Sequence, residues 1–339
     1  MIRKLYTAVL LVAGLSGAAP AALAAGPALE IGYLPILSDA QLFVALEDGM
    51  LHGGGLDSPK LVSFQSGPAI TQALIAGQLD VAYVGIGPAL VARAKGADIK
   101  VVAANNKGQV SMLALGSLAP YFGSGDPSTA FARFAKDKGR KAVIASYPKG
   151  AVPETALQYW LRNVIKADLA DIEFVYQGEA QIQQSLMTGA IDGAVVLEPT
   201  TTSVQRRVPD ARVVANGTQL FPNQPGAVLL VREKLIAEHP EVVRALVQAQ
   251  IDATKVLRDD PAKAAGYVRK YVGGGRLPAD LVEQSIRNSH DQFEPDPRTI
   301  VQATIKLQDF QAGLGTQAER VDVGQLFDSR FFESVGRAQ

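Results

Sequence analysis

The sequence predicts an α/β protein of two similar lobes, each a mostly parallel sheet flanked by helices, with a ligand cleft between the lobes. Three observations carry that expectation. The chain has 339 residues, more than one hydrophobic core usually organises. One phrase is written twice: "QALIAGQLDVA" occupies residues 72–82 and "QSLMTGAIDGA" residues 184–194, an offset of 184 − 72 = 112. Around both copies, short apolar runs alternate with helical periodicity, the rhythm of parallel strands joined by right-handed crossovers.

The first 24 residues stand apart from this pattern. Arg3 and Lys4, the apolar residues 5–15 and the small-x-small triplet Ala22, Leu23, Ala24 form the three parts of a secretory signal peptide. The apolar run is shorter than the roughly 20 residues that span a bilayer, which argues against a membrane anchor. Its removal takes 33 basic residues to 31 against 33 acidic ones, a balance of −2. A nucleic-acid partner is therefore not expected, since that surface needs a basic excess. With 47% hydrophobic and 19% charged residues the chain can build real cores, so a disordered class is excluded. Cysteine is absent, which removes thiol catalysis, thiolate metal sites, disulfides and a lipid anchor on an N-terminal Cys. An exported chain of this kind belongs in a bacterial periplasm.

Each half reads β-loop-α-β-α-β. "LEIGYL" and "KAVIASY" open the two units; helices follow from about Ser38 or Asp39 and from about Pro153, all good helix-start residues. "KLVSFQ" and "IEFVYQ" are second strands, and "VAYVG" and "GAVVLE" third ones. "VSMLALG" and "GAVLLV" read as strands near the lobe junction, and the Gly-, Pro- and Ser-rich residues 117–128 as an exposed connection. From Arg232 onward the periodicity is helical, and these helices are expected on the outside of the first lobe. The expected division is a first lobe of residues 25–113 and 225–339, including the C-terminal helices, and a second lobe of residues 114–224. Ligands of such sheets bind beyond the carboxyl ends of the strands. Two facing lobes give one cleft two walls, which accounts for the repeat.

Residues 31–51, "IGYLPILSDAQLFVALEDGML", resemble the opening of solute-binding proteins of the nitrate, sulfonate and taurine group of ABC importers, whose relatives include binders of thiamine-precursor pyrimidines. "ALIAGQLDVAYVGIGPALVARAKGADIKVVAA" (73–104) is similar to the group's most recurrent stretch, and "GAIDGAVVLEP" (189–199) to its second-lobe counterpart. The resemblance covers most of the mature chain. It implies a periplasmic binding protein of the second structural type, acting as a monomer that closes on a small-molecule solute and delivers it to an ABC permease and ATPase complex at the inner membrane. It implies no cofactor and no metal.

Candidate ligand-binding residues lie just after strand ends. In the first lobe they are Leu34, Pro35, Ser38, Asp39, Gln41, Gln65, Ser66, Gly67, Gly85, Gly87 and Pro88; in the second they are Lys149, Gly150, Ala151, Gln177, Glu179, Glu198 and Thr200. Gly67 and Gly87 leave room for a ligand to approach backbone N–H groups at helix N-termini, which favour anions, although glycines in such loops also serve simply as turn residues. Lys149 suits a sulfonate or nitrate, or is a solvated surface lysine. Glu198 repels an anion unless paired; it could pair with Lys149, accept from a pyrimidine N–H, hold the ammonium of a zwitterion such as taurine, or brace its own loop. Tyr33, Phe64, Tyr83, Tyr147 and Tyr176 near strand ends could sandwich a flat ligand. Trp160 reads as a packing residue.

Catalysis is not expected. His52, His239 and His290 fall outside the proposed cleft loops, and no HExxH, GxSxG or P-loop pattern occurs. A scavenger of metal would need His or Cys clusters. A periplasmic receptor reporting to a sensor partner is the remaining alternative, because a closed lobe pair could dock on either kind of partner.

Overall fold

The computed structural model describes residues 29–53, 56–317 and 319–336. The signal peptide assigned to residues 1–24 lies outside them. Among the described residues, ten strands form two five-stranded sheets: β1 (Glu30–Tyr33), β2 (Lys60–Ser63), β3 (Val81–Gly85), β4 (Ile99–Ala104), β5 (Ser111–Ala114), β6 (Ala142–Ser146), β7 (Ile172–Tyr176), β8 (Gly193–Val196), β9 (Arg212–Ala215) and β10 (Ala227–Arg232). The orders are β2-β1-β3-β10-β4 and β7-β6-β8-β5-β9. In the first sheet β1 pairs parallel with β2 and β3, while β10 runs antiparallel between β3 and β4. The second sheet repeats the pattern, with β5 antiparallel between β8 and β9. Four strands of each sheet thus share a direction, and the odd strand comes from the other half of the chain.

The repeated phrase has a local structural meaning in both copies. Gly77 and Gly189 end helices Gly67–Ile75 and Glu179–Thr188 with φ of +69°, a left-handed conformation that costs glycine least. Three residues later, Asp80 and Asp192 anchor the first strand of each sheet. Asp80 Oδ2 accepts from the backbone N–H of Glu30 at 3.0 Å, and Asp192 Oδ2 from that of Val143 at 2.9 Å. Their carbonyls accept from Arg232 and Leu115, where the exchanged strands arrive. The phrase therefore encodes how a helix stops and how the next strand locks into its sheet.

The chain crosses between sheets twice, after β4 and before β10, and the two crossings run side by side. Gly108 N donates to Gln224 O at 2.8 Å, and Gly226 N donates to Asn106 O at 3.1 Å. Gly226 is required here, because a Cβ on it would lie 1.8 Å from Asn106 Oδ1. Asn105 and Asn106 are fully buried polar residues, and each is satisfied. The side-chain amides of both donate to Ser38 O, at 3.1 and 2.8 Å, and Gln250 Nε2 donates to Asn105 Oδ1 at 3.0 Å. Such closed polar networks fix one geometry where two lobes meet.

Two differences from the sequence reading stand out. Residues 117–128 hold a short helix, Pro120–Gly123, and Leu118 is fully buried beneath them. The C-terminal helices do not all stay outside the first lobe. Pro240–Asp259 packs there against Ala40–Glu47, but Val301–Gly313 touches both Ile86–Ala94 and Val152–Tyr159. Ala279–Asn288 likewise reaches Thr200–Arg207, with Arg206 paired to Asp280 at 2.7 Å. Periodicity announces that a helix has an apolar face but not which lobe will cover it.

Candidate functional site

A cavity of about 970 Å³ lies between the lobes and is lined from both. Strand ends point into it: Tyr33 and Leu34 after β1, Ser63 and Gln65 after β2, Gly85 at the end of β3, Tyr147 after β6, Gly178 after β7 and Leu197 after β8. The first turns of five helices open on the same space, at Gly67, Pro88, Val152, Glu179 and Thr200. The helix dipoles give the walls a partial positive character, although Pro68, Pro88 and Pro153 carry no N–H and Ala69 N and Thr202 N are already bonded to Ser66 Oγ and Glu198 Oε2. The crossings form its floor through Asn106, Gln109, Val110 and Gln224.

Of the candidate residues, Leu34, Pro35, Ser38, Gln65, Ser66, Gly67, Gly85, Pro88, Ala151, Glu179 and Thr200 line the cavity. Asp39 and Gln41 do not, being wholly buried behind the wall. Asp39 Oδ2 accepts from Leu34 N at 2.9 Å and so shapes the lining loop; burial pushes its carboxyl up to about 7 against the hydrogen bonds from Leu34 and Asn105. Gln41 Nε2 donates to Asn105 O at 2.6 Å. Gly87 and Gly150 mark a close approach of the lobes, since a Cβ at Gly87 would meet Gly150 O at 2.8 Å. Gln311 Nε2 donates to that same carbonyl at 3.1 Å.

Lys149 is exposed and sits over the Tyr176 ring at 5.5 Å, while Gln177 accepts from Ser185 Oγ at 3.1 Å. Neither lines the cavity. Glu198 also stands behind the wall, although its neighbours Leu197 and Pro199 line it across a cis Glu198–Pro199 peptide. It accepts from Thr202 N at 3.2 Å, Thr202 Oγ1 at 2.9 Å and Asn288 Nδ2 at 3.4 Å. Burial raises its pKa against those hydrogen bonds. The geometry is that of a carboxylate bracing its loop. Tyr33 and Tyr147 line the cavity, Tyr83 and Trp160 are core, and Phe64 packs against the core.

The sequence reading passed over the segment that closes the near side of the cavity. Lys270, Tyr271 and residues 272–274 line it together with Arg276 and Leu277. Tyr271 stacks on Phe43 at 4.5 Å, and its hydroxyl donates to Glu47 Oε1 at 2.8 Å, which pins the segment to the first lobe. Lys270 is paired with Glu47. The triple glycine at 273–275, with φ of +62°, +64° and +74°, was the legible signal of a tight loop. The polar run "NNKGQ" between two apolar strands was the corresponding signal for Asn106 and Gln109.

Glu179 is the carboxyl group on the wall. Its Oε1 accepts from Thr200 Oγ1 at 2.8 Å, and burial raises its pKa to about 7, helped by the charge of Glu198 and opposed by hydrogen bonding from Thr200 and Tyr147. Tyr147 is pushed up in turn by its own burial and by the Glu179 charge.

Known proteins share this architecture. A binding protein of Brucella abortus (strain 2308) is 26% identical over 255 residues, 74% of this chain and 73% of its own length. The alkanesulfonate-binding protein of Xanthomonas axonopodis pv. citri, bound to MOPS, superposes with a TM-score of 0.70 at 21% identity, covering 90% of this chain and 99% of that one. The periplasmic nitrate-binding protein of Synechocystis PCC 6803 gives 0.74 at 15% identity, covering 91% and 88%. These likenesses bear out the two-lobed binding-protein fold. The model of the NMT1-like family matches residues 24–270, well over half of the sequence, and the chain belongs to that family.

Proposed function

We propose that this protein is the extracytoplasmic solute-binding component of an ABC importer, which captures a small sulfonate-, nitrate- or taurine-like solute by closing two lobes and delivers it to a permease. The observation that carries the reading is the cavity between the sheets, lined by strand ends and helix first turns of both lobes. Only contacts made to both lobes at once can favour a closed state over an open one. Five helix N-termini around one space suit an oxyanion such as a sulfonate or nitrate, in keeping with the names of the relatives. The N-terminal pattern of residues 1–24 supports a periplasmic setting. The reading is of binding without catalysis: among the described residues no histidine lines the cavity, and its carboxyl group faces no nucleophile–base pair.

A thermal-shift screen of residues 25–339 against alkanesulfonates, nitrate, bicarbonate, aminosulfonates and pyrimidines tests it. A solute at about 100 times its dissociation constant adds roughly 2.7 kcal/mol, which appears as a raised melting temperature. One chemical class is expected to give that shift. A folded, ligand-free protein that responds to none of them contradicts the assignment.

A further inference from the structure

Beyond the crossings, two helices of the C-terminal part reach from the first lobe to the second, and their contacts differ in kind. Helix Val301–Gly313 meets helix Val152–Tyr159 within one continuous apolar core, to which Ile86, Leu157 and Leu307 all belong. Phe310 sets its ring edge-on to Tyr159 at 5.2 Å. The fully buried Gln311 donates through Nε2 to Thr155 Oγ1 at 3.1 Å as well as to Gly150 O. Parting these groups would expose apolar surface and strand a buried amide, so this contact is a joint that stays made.

Helix Ala279–Asn288 makes a contact of the other kind. Its inner residues Val282 and Ile286 belong to the first-lobe core, whereas Val204 of helix Thr200–Arg207 belongs to a separate core with Leu186 and Val196 of the second lobe. A polar row from each helix links the two. Glu198, Thr202 and Arg206 follow one another at intervals of four residues, as do Asp280, Gln284 and Asn288, so each set keeps to one face, and the rows pair in opposite directions. Asn288 Nδ2 donates to Thr202 Oγ1 at 3.0 Å and to Glu198 Oε1 at 3.4 Å, while Gln284 Nε2 holds Asn288 Oδ1 at 2.8 Å. At the other end Arg206 donates to Asp280 Oδ2 at 2.7 Å and to Asp280 O at 3.1 Å. The Asp280 side chain is 75% exposed, so water can replace these bonds at small cost. Polar contacts of this type between lobes are the ones that open and close.

We propose that the rows 198/202/206 and 280/284/288 are a releasable latch, which holds the lobes together before any solute arrives and parts when the second lobe swings about the buried joint. The latch adjoins the cavity on both sides, since Leu197, Pro199 and Thr200 line it where one row begins, and Arg276 and Leu277 line it just before the other. It touches no solute. Its effect is on population: apparent affinity scales with the fraction of protein already closed, so the latch strengthens binding of every solute alike and adds no selectivity. The inference rests on the closure of two lobes in the proposed function but not on the identity of the solute.

The test therefore uses none. Because the sequence contains no cysteine, Gln72→Cys and Gln184→Cys can each carry one nitroxide; both positions are exposed, outside the latch, and equivalent in the repeat. Pulsed electron-spin resonance on the solute-free protein then gives the distribution of distances between the lobes. A short, closed component is expected in the labelled parent. Asn288→Ala is expected to raise the ratio of open to closed about fivefold, as for the loss of a pair of hydrogen bonds. Arg206→Ala or Asp280→Ala is expected to raise it about twofold to fourfold, and the double variant no further than the larger single one, because the two side chains act through each other. Unchanged melting temperatures verify that both cores are intact. Distributions that stay the same in Asn288→Ala and in Arg206→Ala, whether entirely long or entirely short, overturn the latch. The cleft reading is decided separately by the thermal screen, so the two fail independently.

Discussion

Asp192→Ala is expected to destabilise the protein by roughly 2–3 kcal/mol, the scale of losing the hydrogen bonds of a buried carboxylate whose charged partner, Arg140, is itself half exposed. Asp192 is only 3% exposed and takes four hydrogen bonds: two from Arg140, at 2.6 and 2.8 Å, one from Val143 N at 2.9 Å and one from Ser117 Oγ at 2.9 Å. Burial alone would raise its pKa, yet Arg140, Val143 and Ser117 together hold it below the usual value. Its stabilising contribution is therefore present above the unfolded value of 3.8 and lost as pH falls through the lower folded one. The repeat-related Asp80 accepts only from Glu30 N and is half-buried, so Asp80→Ala is expected to cost about 1 kcal/mol. Urea unfolding of both variants checks the ratio. Equal losses would mean that the second-lobe network adds nothing to what the repeat supplies in both lobes.

Asp39 carries the second large effect, with the opposite sign. Its folded carboxyl titrates near 7 against 3.8 unfolded, so between those values the native state holds a proton that the unfolded chain has lost. Stability from this group is complete below about 3.8 and declines as pH rises through about 7. The rise from 3.8 to about 7 corresponds to an upper figure of ~4 kcal/mol. Asp39→Asn removes the titration while keeping an acceptor for Leu34 N. Its stability is expected to match the wild type near pH 4 and to exceed it at pH 8. Unfolding curves that differ by the same amount at every pH would contradict this. Glu179 adds a decline of the same direction between about 4.5 and 7.

Much of the fold was legible because it is written locally. The left-handed glycines at 77 and 189 and the aspartates at 80 and 192 act within their own helix-to-strand turns, so the phrase repeats wherever that turn repeats. Strand exchange was not legible. β5 and β10 are apolar runs like any other, and which sheet accepts them depends on the paired crossings at Lys107 and Pro225, which are far apart in sequence. The site was half legible for a related reason. Strand ends identify loops, but the face on which a side chain leaves its loop separates Glu179, on the wall, from Glu198 and Lys149, behind or outside it. The Gly-rich loop at 273–275 reaches the cavity only because Tyr271 stacks on Phe43, a tertiary contact with no local signature.

The central claim is that the solute sits between the lobes. Ala180 is exposed and lines the cavity, so Ala180→Trp fills that space without disturbing a core. The solute giving the largest thermal shift is titrated calorimetrically into the wild type and into this variant at equal melting temperature. One-site binding to the wild type, lost or weakened by about a hundredfold in Ala180→Trp, is the result the structure predicts, as expected when a hot-spot pocket is blocked. Undiminished binding by the variant would place the solute outside the cleft and contradict the account.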